Sequence, residues 1–236
     1  MIYKGHVVSG NSKPGFQPAI QPDNEAQRLA DLYATAILDT PVQAEFDDLT
    51  MLVSNILEMP IALISLVDKE RQWFKSRVGL EATETSRDVS FCAHAILGTE
   101  LFVVEDTSKD LRFATNPLVC GYPRVGFYAG APLISRHGHA LGTLCVIDHR
   151  PRQLQPQQAA SLLQLARICV ALIDAHRDQY RLQHEVAVTQ RIFDSIPDAV
   201  IACDDQGRVS FVNGVARLWH SGVEQGQSPK PPHVYH

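Results

Sequence analysis

Five cysteines, ten histidines and twenty-six carboxylates supply this chain's possible nucleophiles, metal ligands and proton carriers, and their spacing limits what they can do. Cys92, Cys120, Cys145, Cys169 and Cys203 are scattered, odd in number and without a C-x-x-C pair. That pattern suits free thiols in a reducing compartment better than a disulfide framework. Cys145 and Cys169 lie in apolar strand and helix patterns and read as buried small hydrophobes. Cys92 and His94 share the run SFCAHAIL, but two residues along a helix puts them on nearly opposite sides, too far round to hold one metal. His94 therefore reads as a structural hydrogen-bonding residue. Asp106 and Asp110 flank Thr107-Ser108-Lys109 and read as turn formers that bind their own backbone. No D-x-D-x-D-G loop surrounds them, so no metal is expected there. Gly121, Gly126 and Gly130 form neither a G-x-G-x-x-G nor a P-loop pattern, which leaves nucleotide hydrolysis without support.

Such side chains must be held by a frame. At 236 residues the chain has room for one to two domains of ~150 residues. Its 45% hydrophobic and 20% charged composition is that of a globular protein, and a net charge of −5 disfavours nucleic-acid binding through a basic footprint. The longest apolar runs fall far short of the ~18 residues of a membrane span. The start MIYKGHVVSG lacks the apolar core of a signal peptide. A cytoplasmic protein with no membrane or nucleic-acid partner is expected.

Residues 1–22 mix Gly, Ser, Pro, Lys and Gln without period and are expected to be a disordered arm. A helix then opens on Asp23 as N-cap, carries Leu29, Leu32, Tyr33, Ala36 and Ile37 at helical spacing, and stops at Asp39-Thr40-Pro41. A second, through Phe46, Leu49, Leu52, Val53, Ile56 and Leu57, stops before Pro60. The helical period then gives way to the β-rich or strongly apolar runs IALISLV, QWFKSRV, LFVVED, FYAGAPLI and ALGTLCVID, which read as strands. SFCAHAIL between them reads as a short helix capped by Ser90, with Arg87 and Asp88 tying down the loop before it. The order α-α-β-β-α-β-β-β, with short turns, predicts an α+β fold with an antiparallel sheet.

From Gln157 to about Phe193 no Pro or Gly interrupts a long helix. Leu162, Leu165, Cys169 and Leu172 follow a 3-4 spacing that suits a homodimer seam; the alternative is that the same stripe packs on the chain's own sheet. After Pro197 the pattern restarts as strand, turn, strand and short helix, in about 40 residues, too few for an independent domain. Residues 223–236 are Pro-rich and polar and are expected to form a disordered tail.

The segments NEAQRLADLYATAILDTPVQAEFDDLT, RQWFKSRVGL, SFCAHAIL, VVEDTSKDLRFATNPLV, FYAGAPL and LGTLCVIDHRPRQL, taken in order, resemble a GAF domain of the bacterial signalling type over residues 23–175. Residues 192–222, beyond a helical linker at 176–191, resemble the opening of a truncated PAS domain. The resemblance implies a central antiparallel sheet with flanking helices, a long C-terminal signalling helix, and a partial PAS-like hairpin with a short helix. It also implies a cytoplasmic sensory module, not an enzyme and with no catalytic residues, that binds a small ligand or senses redox state and relays it through a dimerising helix. In relatives such pairs precede a histidine kinase or a cyclic-di-GMP synthase or hydrolase. No kinase H-E-x-N region, GGDEF or EAL is seen, so the chain is expected to be a regulatory fragment, a truncated gene product, or a module acting in trans on a histidine kinase or diguanylate cyclase partner. The implied pocket lies between the sheet and the connection Leu111–Val125. Phe91, Phe113, Phe127 and Tyr128 are its candidate walls, or simply core, and Cys92, His94, Asp106 and Arg112 its candidate polar groups. The ligand is unknown. An alternative is a thiol oxidoreductase of the free methionine sulfoxide reductase type using Cys92 and Cys120. Covalent bilin is not expected, because Gly121 rather than His follows Cys120.

Overall fold

The computed structural model describes residues 15–219; the expected tail at 223–236 and residues 1–14 of the expected arm lie outside the described residues. The chain divides into two units, residues 1–177 and 178–236.

In the first unit, α1 (Glu25–Ala34) and α2 (Ala44–Leu57) open the chain. α1 stops short of Pro41, the end that its spacing suggests. The Thr35 hydroxyl donates to the Leu32 carbonyl at 2.6 Å, and Ala36 and Asp39 take left-handed φ of 51° and 59°, turning Ile37 into the core, where it is wholly buried. α2 ends where Glu58 enters the left-handed region at φ 54° and the Met59 N–H donates to the Ser54 carbonyl, one arrangement that satisfies the last free carbonyls of a helix.

Six strands follow: β1 (Ile61–Val67), β2 (Arg71–Val78), β3 (Glu84–Ser86), β4 (Phe102–Val104), β5 (Phe127–Ile134) and β6 (Ala140–Asp148). They form one antiparallel sheet in the order β3-β2-β1-β6-β5-β4. β1 and β6 lie at the centre, and every residue of each is buried. That is why IALISLV and ALGTLCVID lack a polar alternation: a strand covered on both faces has no solvent side. β3 is missed by the hydrophobic period, since its three residues, ETS, are polar and sit at the sheet edge. A register shift between Ile64 and Ser65 leaves Lys75 as an extra residue on β2, a bulge; its ammonium donates to the Thr40 hydroxyl and the Pro41 carbonyl and sits over Phe46.

The sheet separates two apolar cores. One holds the inner residues of α1 and α2 together with Leu144, Val146 and Phe127. The other holds Leu63, Phe74, Tyr128 and Cys145 from the sheet, with the short α3 (Phe91–Ala95). A second short helix, α4 (Pro117–Cys120), lies in the connection before β5.

The long helix α5 (Pro156–Asp194) corrects one expectation. Leu162, Leu165 and Cys169 are buried in the first core and Leu172 packs against it, so this stripe meets the chain's own sheet rather than a second copy. The apolar spacing is the same for both uses, and only the sheet's exposed apolar face decides between them. Among the described helices α5 is long and apolar enough to cross a membrane by length and composition, but its apolar stripe is the one laid on the sheet. The helix is fastened by Arg177, whose guanidinium reaches the Asp31 carboxylate at 2.8 Å.

In the second unit, β7 (Ile201–Cys203) and β8 (Val209–Val212) pair as a hairpin, followed by α6 (Gly214–Trp219). Asn213 organises it: its Oδ1 accepts from the N–H groups of Val200 and Ala216, and its Nδ2 donates to the Asp198 carbonyl. Val209, Val212 and Ala216 form its small core.

Candidate functional site

The functional geometry lies in the second core. Ser90 caps α3 by accepting the Ala93 N–H at 3.0 Å and is itself bonded to Gln72, which fixes the helix against β2. Arg87 anchors the preceding turn through Glu25 and the carbonyls of Asp68 and Lys69. Asn116 caps α4 at Leu118 N–H and also donates to the Val89 carbonyl, so the long connection is tied to the start of α3.

Between these parts is a cavity of about 100 Å³. Leu63 and Phe74 of the sheet, Phe91 of α3, and Leu118, Tyr122 and Val125 of the connection form its apolar sides. Its floor is polar. The Cys92 sulfur accepts from the Thr143 hydroxyl at 3.0 Å and the Tyr128 phenol at 3.3 Å, and lies 3.8 Å from the Cys145 sulfur. All four residues are buried. Strand register explains the cluster: Tyr128 and Gly130 share one face of β5, Gly130 lies opposite Cys145 and Pro132 opposite Thr143, so alternation brings Thr143 and Cys145 to the same side.

Burial alone would raise the Cys92 thiol. Hydrogen bonds from Cys145, Ser65, Thr143 and Tyr128 outweigh it and hold the thiol at about 6, below its ordinary range. The Cys145 thiol is pushed up by its bond to Cys92, by burial and by charge on Cys92.

The structure sorts the sequence candidates. Phe91, Cys92 and Tyr128 line the cavity. Phe113 stacks behind Phe91 at 4.1 Å and supports the wall without lining it. Phe127 belongs to the opposite core, because neighbouring residues of a strand face opposite ways; its place among the pocket walls is corrected. His94 sits outside the cavity, edge-on to Phe113 at 4.7 Å, with its Nε2 on the Gln17 carbonyl at 3.0 Å. Burial holds it at about 4, so it is neutral near pH 7. Arg112 covers Phe102 and Phe113 and pairs with Asp110. Its carbonyl accepts the Gln17 N–H, which seats the described end of the expected arm. Asp106 accepts from Ser108 N–H and pairs with Lys109, as a turn former does. None of His94, Arg112 and Asp106 reaches into the cavity.

Cys120 is exposed, and its thiol is directed to the Ala114 carbonyl. Cys145, read from sequence as an inert hydrophobe, is the thiol beside Cys92. Its signal was Thr143 at the alternate strand position. Among the described residues no three His, Cys, Asp or Glu side chains gather as a metal site requires.

A family model for the GAF domain matches residues 41–196, more than half of the chain. The chain belongs to the GAF family. The matched span begins after α1, whose Leu32 is nonetheless wholly buried in the first core. A cyclic di-GMP phosphodiesterase of Pseudomonas aeruginosa is 39% identical over 172 residues, 72% of this chain; the chain spans 29% of that relative's length. The GAF domain of an Acinetobacter phosphoenolpyruvate-protein phosphotransferase shares the fold at 17% identity with a TM-score of 0.50, over 66% of this chain and 98% of that one. A free methionine-R-sulfoxide reductase from Neisseria meningitidis, in complex with its substrate, is 18% identical with a TM-score of 0.49, over 68% and 96% of the two chains. A GAF domain of the kind typical of bacterial signalling proteins thus holds a small, mostly apolar cavity lined in part by Cys92 and Tyr128, which bond to Thr143 and Cys145 outside the lining.

Proposed function

We propose that this GAF domain is the cytoplasmic sensory module of a bacterial cyclic-di-GMP signalling system, without chemistry on a substrate of its own. The observation that carries the reading is the cavity between α3, the connection and the sheet, whose central strands also pack against α5 on their other face. The 39% identity to a cyclic di-GMP phosphodiesterase supports the signalling context. A small, largely apolar ligand fits the cavity walls, and its occupancy would bias the position of α5 by differential affinity, typically ~1–3 kcal/mol. The output is a histidine kinase or a cyclic-di-GMP enzyme, in the same protein or in trans. The hairpin and helix from Ile201 to Trp219 read as the opening of a PAS-like domain.

Relay through a homodimer requires an apolar edge left free on α5. Ile168, Ala171, Ala175 and Leu182 are exposed at 3-4-7 spacing, and we assign the dimer contact to them in place of the buried stripe. The thiol-reductase alternative relied on Cys92 with Cys120, which the buried Cys92–Cys145 arrangement does not favour.

Native mass spectrometry of the protein from its own host tests the reading. A copurified small molecule, lost on substituting Phe91 or Leu118 by Trp to fill the cavity, is the expected result. An unliganded mass throughout, with no thermal shift from a small-molecule panel, would overturn it.

A further inference from the structure

We propose that Cys92 and Cys145 are an oxidisable pair, which a small neutral hydroperoxide admitted to the cavity converts to a disulfide. As a signal this rests on the sensory reading above; as chemistry it stands on the geometry of the two thiols, and the experiment reads the chemistry by itself.

Two thiols 3.8 Å apart are within one side-chain adjustment of the ~2.05 Å of a disulfide bond. They come from different elements, α3 and the central strand β6, so closing the bond draws a five-residue helix toward a strand fixed on both sides. The roles are unequal. Cys92 lines the cavity and is bonded by the Thr143 and Tyr128 hydroxyls, an arrangement that stabilises a thiolate, the nucleophilic form. Cys145 lies behind it and is the resolving thiol. The apolar lining and small volume select the oxidant: a neutral peroxide of a few heavy atoms enters, whereas a charged disulfide or a protein thiol does not.

In the first step the Cys92 sulfur attacks the near oxygen of the hydroperoxide. An S–O bond forms, the O–O bond breaks, and the thiol proton leaves with the far oxygen as alcohol or water. The hydroxyls of Tyr128 and Thr143 are placed to pass that proton. In the second, the Cys145 sulfur attacks the Cys92 sulfenic sulfur. The S–S bond forms, the S–O bond breaks, and the Cys145 proton departs with the hydroxide as water. Two thiols and one hydroperoxide thus give one disulfide, one alcohol and one water, the two sulfurs supplying both electrons.

The test uses the full chain with the two exposed thiols removed (Cys120→Ser, Cys203→Ser), leaving Cys92, Cys145 and Cys169 of the five. After hydrogen peroxide and quenching, thiol titration in denaturant is expected to fall from three to one. Peptide mapping without reductant is expected to return a Cys92–Cys145 linkage that dithiothreitol reverses. In the same background, Cys145→Ala is expected to trap a Cys92 sulfenic acid that a 1,3-diketone probe labels. Three thiols still titrating, irreversible oxidation of Cys92 without linkage, or a linkage through Cys169 would each overturn the proposal. Should Cys145→Ala fail to fold, the thiol count and linkage in the double variant decide alone. Ligand capture in the preceding experiment requires no disulfide, so the two readings fail separately.

Discussion

The ring of Tyr128 lies across the bare Cα of Gly130, and a Cβ built there would stand 2.2 Å from the phenol oxygen. The same oxygen is 3.3 Å from the Cys92 sulfur. A missing side chain on β5 is therefore what lets the phenol reach the thiol.

It follows that Gly130→Ala expels the Tyr128 ring from its seat. Overpacking of this kind costs about 1–3 kcal/mol, read as a lower denaturant midpoint. Tyr128→Phe keeps the packing and removes only the hydroxyl's hydrogen bonds to Cys92 and Thr143, about 1 kcal/mol each. Both changes should raise the Cys92 thiol, which a pH titration of thiolate ultraviolet absorbance would follow.

The two faces of α5 should respond differently to substitution. Leu162→Ala removes a wholly buried side chain and should cost about 2–5 kcal/mol, with no specific effect on association. Ile168→Glu with Leu182→Glu alters exposed positions and should leave the melting curve in place while light scattering reports a smaller particle. The reverse pattern would restore the buried stripe as the seam.

Acid should loosen the first unit at two points. Burial raises the Asp31 carboxyl, but bonds to Ser135, His137 and His139 and the charge of Arg177 prevail and hold it at about 2. Glu25 is likewise held at about 2, against burial, by Arg28 and Arg87. Both folded values lie below the unfolded ones of ~4. The stabilisation is therefore complete above roughly pH 5 and is lost as pH falls toward 2. Asp31→Asn should flatten that acid limb and cost about 3 kcal/mol at neutral pH, because Arg177 is left buried beside an uncharged group.

His94 should titrate well below the ordinary histidine range. With its value held at about 4, its ring resonances should stay constant from pH 8 to about 5 and shift only below that. Because the folded value lies under the unfolded one, at ~6.5, stability from this residue is present above that pH and falls as acid is added.

Most of the frame was legible in the sequence because strands covered on both faces are written as unbroken apolar runs. IALISLV, FYAGAPLI and ALGTLCVID read as strands, and β1, β5 and β6 occupy those runs. Ser90 could be recognised as a cap because a hydroxyl before an apolar helical run has one common use. What period cannot record is partnership across the sheet. Phe127 and Tyr128 are adjacent aromatics, and only the register assigns one to each core. The stripe on α5 was ambiguous for the same reason: 3-4 spacing states that a face is covered, not by what. Cys145 reads in the sequence only as a buried small hydrophobe, because its partner Cys92 is 53 residues away along the chain and the two meet only in the fold.

The central strand β6 carries Cys145 toward one core and its immediate neighbours Leu144 and Val146 toward the other, in the cluster that contains Leu162, Leu165 and Cys169. Any atom displaced at the thiols thus stands one peptide unit from a residue of the cluster that also holds the buried stripe of the long helix. A displacement on one face of this strand meets the other face across the thickness of a single backbone, like pressure on the two sides of a drumskin.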